Sequence, residues 1–171
     1  LIGVAAAFGM YLSLLKAAPD RSLGSVVEEA AVKLKATRPT AVNLAWAVER
    51  QLAAVEGVTS KVKAIQILLE SAKRLADEDI FVCQKIGEHG LRLLREISGK
   101  KRAKPLNILT HCNAGWLACI DWGTATAPIY RAFDEGIALH VWVTETRPRN
   151  QGTSLTAWEL EQQKIPYTVV V

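Results

Sequence analysis

"LNILTHCNAGWLACIDWGTATAPIYRAFDEGIALHVWVTE", residues 106–145, is the stretch whose reading decides the fold. It opens on a short β-rich run, LNILTH (106–111), passes through a segment of helical spacing, GTATAPIYRAFDEG (123–136), and returns to a β-rich run, IALHVWVTE (137–145). A second helical segment, SLTAWELEQQK (154–164), and a third β-rich run, IPYTVVV (165–171), extend the alternation. Strand, helix, strand, helix, strand predicts a parallel sheet with crossover helices.

The residues before it read as helices. SVVE (25–28) has the form of a capping box, with Ser25 as the cap and Glu28 reaching back, and Val27, Ala30, Ala31 and Leu34 follow as an apolar stripe. RPTAVNLAWAVERQLAAVEG (38–57) restarts a helix after Pro39, with Thr40 as its cap and Gly57 as its stop. Val62, Ile65, Leu69, Ala72 and Ala76 predict the core face of another helix. Ile80, Cys83, Gly87, Gly90 or Leu91, and Leu94 continue that face after an acidic break, DED (77–79). The opening run LIGVAAAFGMYLSLL (1–15) lacks a basic leader and falls short of the roughly 18 apolar residues of a spanning helix, so it predicts a buried helix. The expected architecture is α/β. A helical domain (1–104) is joined near 100–105 to a Rossmann-like parallel-sheet domain (105–171), which is incomplete at its C-terminus because the chain stops inside its last strand.

Composition narrows the function. Of 171 residues, 50% are hydrophobic and 22% charged, a globular balance, and the net charge is a modest +4. The densest basic run, GKKRAK (99–104), reads as a solvated loop, and no basic face interleaved with aromatics supports nucleic-acid binding. Three cysteines without CxxC spacing suggest neither a disulfide framework nor a zinc site, and fit a reducing, cytoplasmic setting. Neither GxGxxG nor GxxxxGK[ST] is present, so a nucleotide cofactor has no support. The scattered histidines give none for a metal.

In open parallel sheets, ligands sit beyond the carboxyl ends of the strands. Cys112 follows the first β run and precedes NAG, which predicts a thiol at the sheet's carboxyl edge beside backbone amides that favour thiolate. A small thiol chosen for packing is the competing reading, and it is the one adopted for Cys83 and Cys119. His111 adjoins Cys112, but strand neighbours point to opposite faces, so no Cys–His pair follows. The second strand ends in TETRPRNQG (144–152), where Glu145, Arg147, Arg149 and Gln151 crowd a turn fixed by Pro148 and Gly152. Such a loop suits a phosphorylated or polyhydroxylated ligand, because guanidinium groups match phosphate oxygens; charges that pair with one another are the alternative. His140 reads as a hydrogen-bonded core residue and His89 as structural. Arg38, before Pro39, either projects towards a ligand or is solvated.

RPTAVNLAWAV (38–48), THCNAG (110–115), HVWVTETRPRNQG (140–152) and LTAWEL (155–160), in that order, closely resemble the methylthioribose-1-phosphate isomerases of methionine salvage. Those enzymes belong to the superfamily that includes the regulatory subunits of translation initiation factor 2B. The resemblance implies isomerisation of the aldose 5-methylthioribose 1-phosphate to the ketose 5-methylthioribulose 1-phosphate, a sugar phosphate as partner, no nucleotide cofactor, and a homodimer. It assigns Cys112 as the catalytic cysteine and Arg38 and Gln151 as substrate contacts. It also implies that a phosphate-gripping RGAP segment precedes the position of Gly3, and that a catalytic aspartate follows the IPYTVVV strand. Both lie outside residues 1–171, so this chain alone is expected to be inactive. Asp121, one turn beyond Cys112, is not a substitute. The alternatives are an isomerase of ribose 1,5-bisphosphate or 5-deoxyribose 1-phosphate, and a non-catalytic regulatory subunit, whose relatives generally lack the cysteine of HCNAG.

Overall fold

The computed structural model describes residues 1–100 and 105–171; most of the basic run at 99–104, and the junction expected there, lies outside the described residues. The helices are α1 (Ile2–Leu15), α2 (Leu23–Thr37), α3 (Val42–Ala54), α4 (Lys61–Lys100), α5 (Ala127–Asp134) and α6 (Trp158–Gln162), and the strands are β1 (Leu106–His111), β2 (Leu139–Thr144) and β3 (Tyr167–Val170). They group into two compact units, Leu1–Glu78 and Asp79–Val171.

The first unit is all-helical. Met10 and Leu14 of α1, Val48 of α3 and Leu68 of α4 are fully buried, with Val27 and Ala31 of α2 packed into the same core. Gln51 is equally buried, and its side-chain amide donates to the carbonyls of Ala7 (3.3 Å) and Leu68 (3.2 Å), which removes part of the cost of placing it there. The α1 segment is the buried helix its composition predicts. No helix among the described residues is long and apolar enough to cross a membrane.

Four local expectations are corrected. The cap of α2 is Ser22, whose hydroxyl accepts from the Ser25 amide at 3.2 Å, so the helix starts a turn earlier than SVVE suggests. At α3 the cap position is Ala41 rather than Thr40, and no side chain caps it, because alanine carries no acceptor; the turn ahead is closed by the Ala41 amide donating to the Arg38 carbonyl at 3.0 Å. The acidic run at 77–79 does not interrupt α4, since neither Gly nor Pro stands there to break it. Its core face is also turned by about a residue: Ala64, Leu68, Ala72 and Leu75 are buried, whereas Val62 is exposed.

The second unit carries the sheet. All three strands are parallel, in the order β1-β2-β3, as the alternation predicts. Leu106 pairs with Leu139 and His111 with Thr144; Val141 pairs with Tyr167 and Thr144 with Val170. Period two sorts β2: Leu139, Val141 and Val143 are buried, while His140 and Trp142 point to the other face. The buried set packs with Leu91 of α4, Ile129 of α5 and Leu160 of α6, and each such side chain contributes about 1.5–3 kcal/mol. His140 is therefore not a core residue. It is half-buried, hydrogen-bonded to Thr168 Oγ1 at 2.9 Å and edge-on to Trp142. His89 is exposed on α4.

Because the strands are parallel, His111, Thr144 and Val170 bring their carboxyl ends to one edge. The segments that leave that edge form the candidate site.

Candidate functional site

β1 ends at His111, and the next residue, Cys112, takes a left-handed backbone conformation with φ 63°. For a residue with a Cβ this costs roughly 1–2 kcal/mol, so something must hold it there. The clamp is Thr156, fully buried in the wide π-turn Gly152–Ala157 that leads into α6. Its hydroxyl donates to the Cys112 carbonyl and accepts from the Asn113 side-chain amide at 3.2 Å. Backbone strain held by its surroundings at a strand's end makes Cys112 a candidate functional position; Trp122, Asn150 and Lys164 share the left-handed conformation elsewhere. Cys112 is half-buried, unlike Cys83, which is 2% exposed.

Beneath this turn lies Glu159, a fully buried glutamate. Its carboxylate accepts from the amides of Trp116 and Leu117 (both 3.1 Å), from Asn113 Nδ2 (2.9 Å) and from the Tyr130 hydroxyl (2.6 Å). A buried carboxylate is tolerable only when so surrounded. Burial, and the Glu159 carboxylate it faces, push the Tyr130 phenol well up. Two of the amides that the sequence places near the thiol are thus engaged by Glu159. The glycine of NAG follows from the same geometry. A Cβ on Gly115 would lie 1.7 Å from Glu159 Oε2, so only glycine lets the loop close on the carboxylate. The loop returns through Gly123, at φ 76°, and the Thr124 amide bonds the Ala114 carbonyl at 2.8 Å.

The end of β2 is built in parallel fashion. His111 Nδ1 lies 2.6 Å from Thr144 Oγ1, and the Glu145 amide donates to the Val170 carbonyl at 2.8 Å, which joins the three strand ends. The Glu145 carboxylate accepts from the Thr153 hydroxyl and from the amides of Thr146 (2.8 Å) and Thr153 (3.3 Å). These bonds, the Thr153 hydroxyl foremost, hold its pKa below the ordinary glutamate value. Between them the chain passes through a cis Arg147–Pro148 peptide and a left-handed Asn150 at φ 54°. Gly152 seats the π-turn on β2: a Cβ there would meet the Thr144 carbonyl oxygen at 2.5 Å. The charges of this loop do not pair with one another. Glu145 is engaged by Thr153, while Arg147 and Arg149 are exposed and make no ion pair among the described residues.

Cys112 and half-buried Gln151 therefore stand at the carboxyl ends of neighbouring strands. Arg38 belongs to the first unit, where it is the exposed C-terminal cap of α2. Asp121 is exposed, and its carboxylate accepts from the next residue's amide at 2.7 Å. Sequence reasoning missed Thr156, Glu159, Asn113 and Tyr130. The available signal was spacing: Thr156, Glu159 and Leu160 fall three and four apart, on one face of a helical turn.

The model of the initiation factor 2 subunit family matches residues 1–171. The chain is 53% identical over 170 residues to a methylthioribose-1-phosphate isomerase of Rhodospirillum centenum, covering 99% of this chain and 44% of that protein. It is also 53% identical over 173 residues to one of Gluconobacter oxydans, covering 99% and 45%. Among solved structures, the 5-methylthioribose 1-phosphate isomerase of Pyrococcus horikoshii superposes with a TM-score of 0.79 at 33% identity, over 99% of this chain and 46% of that one. The delta subunit of translation initiation factor eIF-2B from A. fulgidus gives 0.78 at 35%, over 99% and 48%. The chain spans a little under half the length of each of these relatives.

Proposed function

The chain belongs to the initiation factor 2 subunit family, and from that premise we propose that it is part of an aldose–ketose isomerase converting 5-methylthioribose 1-phosphate to 5-methylthioribulose 1-phosphate. The observation that carries the reading is Cys112, strained into a left-handed turn at the carboxyl edge of a parallel sheet and clamped by Thr156. The curated relatives at about half identity that bear the isomerase name support the choice of reaction.

The reaction moves hydrogen between C2 and C1 and is redox-neutral overall. The anomeric phosphate blocks ordinary ring opening, so the protein has to assist it. In this reading Cys112 assists charge development or proton movement at the reacting carbons, and Arg38 and Gln151 contact the substrate. The uncommitted guanidinium groups of Arg147 and Arg149 suit the phosphate, which they match in geometry and charge. The protein acts as a cytoplasmic homodimer on a small sugar phosphate, without nucleic acid or membrane.

A second reading is a regulatory subunit, favoured by the 35% identity to the A. fulgidus eIF-2B delta structure. The test is to incubate the full-length protein with 5-methylthioribose 1-phosphate, ribose 1,5-bisphosphate and 5-deoxyribose 1-phosphate, and to follow ketose formation. Turnover of the first in preference to the others is expected. Preference for the bisphosphate or the deoxy sugar would reassign the substrate, and inertness towards all three would favour the regulatory reading.

A further inference from the structure

Three potential metal ligands that lie apart in the sequence come together in the second unit. Cys83 on α4, Cys119 just beyond the turn Trp116–Ala118, and Asp79 one helical turn before Cys83 place two sulfurs and a carboxylate oxygen within 4.8 Å of one another. Neither cysteine is in a CxxC pair, so no spacing rule finds the cluster. It is made by folding: α4 carries Asp79 and Cys83 at i and i+4, one above the other, and the loop after Cys112 delivers Cys119 against them. We propose that Asp79, Cys83 and Cys119 form a binding site for a soft divalent cation of the zinc type, separate from the sugar-phosphate site.

The donor set selects the ion. Two thiolates and one carboxylate suit Zn²⁺, which accepts sulfur and oxygen in a tetrahedral shell, and suit Mg²⁺ or Ca²⁺ poorly, since those prefer all-oxygen cages. Three protein ligands leave the fourth position to water. The carboxylate is oriented from outside the cluster: Asp79 Oδ2 accepts from the Ile120 amide at 2.9 Å, the kind of supporting bond that fixes a ligand's direction. Cysteine binds a metal as thiolate, so the cation has to displace the protons of both sulfhydryls. Binding therefore breaks two S–H bonds, releases two protons to solvent, and forms two metal–sulfur bonds and one metal–oxygen bond.

The experiment is a Co²⁺ titration of the full-length, metal-stripped and reduced protein, followed by displacement with Zn²⁺. Expected are one saturable equivalent, a thiolate-to-cobalt charge-transfer band, the visible absorption of a tetrahedral ion, and loss of all three on adding Zn²⁺. Losing only a supporting bond costs metal sites about 10–100-fold in affinity, so Cys119→Ala, at a half-buried position, should weaken binding by at least that much. Asp79→Asn provides a second variant. It keeps an acceptor for the Ile120 amide while removing the charged ligand, and it should weaken binding with the fold intact by circular dichroism. A cobalt affinity unchanged in Cys119→Ala would overturn the assignment. So would a reduced protein that binds no cobalt while both sulfhydryls react freely with a thiol reagent. Recovery of the pair as a Cys83–Cys119 disulfide that cobalt cannot prevent would assign it to redox chemistry instead.

Discussion

Thr156 donates its hydroxyl to the carbonyl of Cys112 across 44 positions of sequence. The bond joins the π-turn that follows β2 to the residue just past the end of β1, and so fixes the backbone of the half-buried cysteine at the sheet's carboxyl edge. Replacing Thr156 by valine keeps the shape and removes the donor. The part-buried carbonyl then loses its partner at a cost of about 1 kcal/mol, read as a lowered denaturation midpoint at unchanged m. Released from its left-handed turn, the thiol is misplaced, and on the proposed isomerase reading turnover by the full-length protein should fall by up to about 100-fold. Unchanged stability in Thr156→Val would mean that the turn is held by other contacts.

Glu159→Gln tests the niche under that turn. The carboxylate offers acceptors to four donors, whereas glutamine offers one oxygen and turns an amide donor towards others. At least one buried donor goes unsatisfied, so a loss of about 1–3 kcal/mol or more is expected from urea unfolding. Tyr130→Phe removes one of the four donors to the carboxylate and leaves the other three in place, so it should cost less. The double-mutant cycle should give a coupling of about 0.5–3 kcal/mol, and additivity would refute the shared niche.

Two glycines should respond in opposite directions to alanine. At Gly115 a Cβ collides with Glu159, so Gly115→Ala forces the niche open and should destabilise strongly or prevent folding. At Gly24, inside α2, a Cβ meets nothing within 4 Å, and the alanine should stabilise by about 0.5–1 kcal/mol through its better helix propensity. Thermal melts of the two variants decide the matter.

The loop after β2 should loosen in acid. Glu145 is held ionised chiefly by the Thr153 hydroxyl and then by backbone amides, which lower its folded pKa below the ordinary 4.5. A depressed carboxylate contributes stability that is fully present above the unfolded value and disappears as pH falls through the folded one. Carbon-detected titration of the Glu145 carboxyl should place its midpoint below that of an ordinary glutamate, and Thr153→Ala should move it back up. A midpoint at or above 4.5 in the wild-type protein would contradict the capping role.

The sequence made the sheet readable because short β-rich runs alternate with segments of helical spacing; period two reports the buried side in LHVWVT but not in LNILTH, where Leu109 is exposed and Thr110 buried. It misjudged the cap of α2 because Ser22 and Ser25 both precede an apolar run, and only the hydrogen bond tells them apart. The position of Cys112 at a strand end was legible; its backbone conformation was not, since a positive φ at a cysteine is imposed by Thr156 from a distant segment. Glu159 was hidden for a similar reason. In WELEQ it looks no different from Glu161, yet one is fully buried and the other exposed, and the difference lies in which donors the 113–117 loop and Tyr130 bring to it.

The most direct measurement is the rate of 5-methylthioribose 1-phosphate isomerisation by the full-length protein with Cys112→Ser, beside the wild type and with folding checked by circular dichroism. A thiol that takes part in proton movement at the reacting carbons predicts a fall in kcat of about 10²–10⁴-fold with KM little changed. Full wild-type turnover by the serine variant would contradict it, and would reduce Cys112 to a packed residue at the end of a strand.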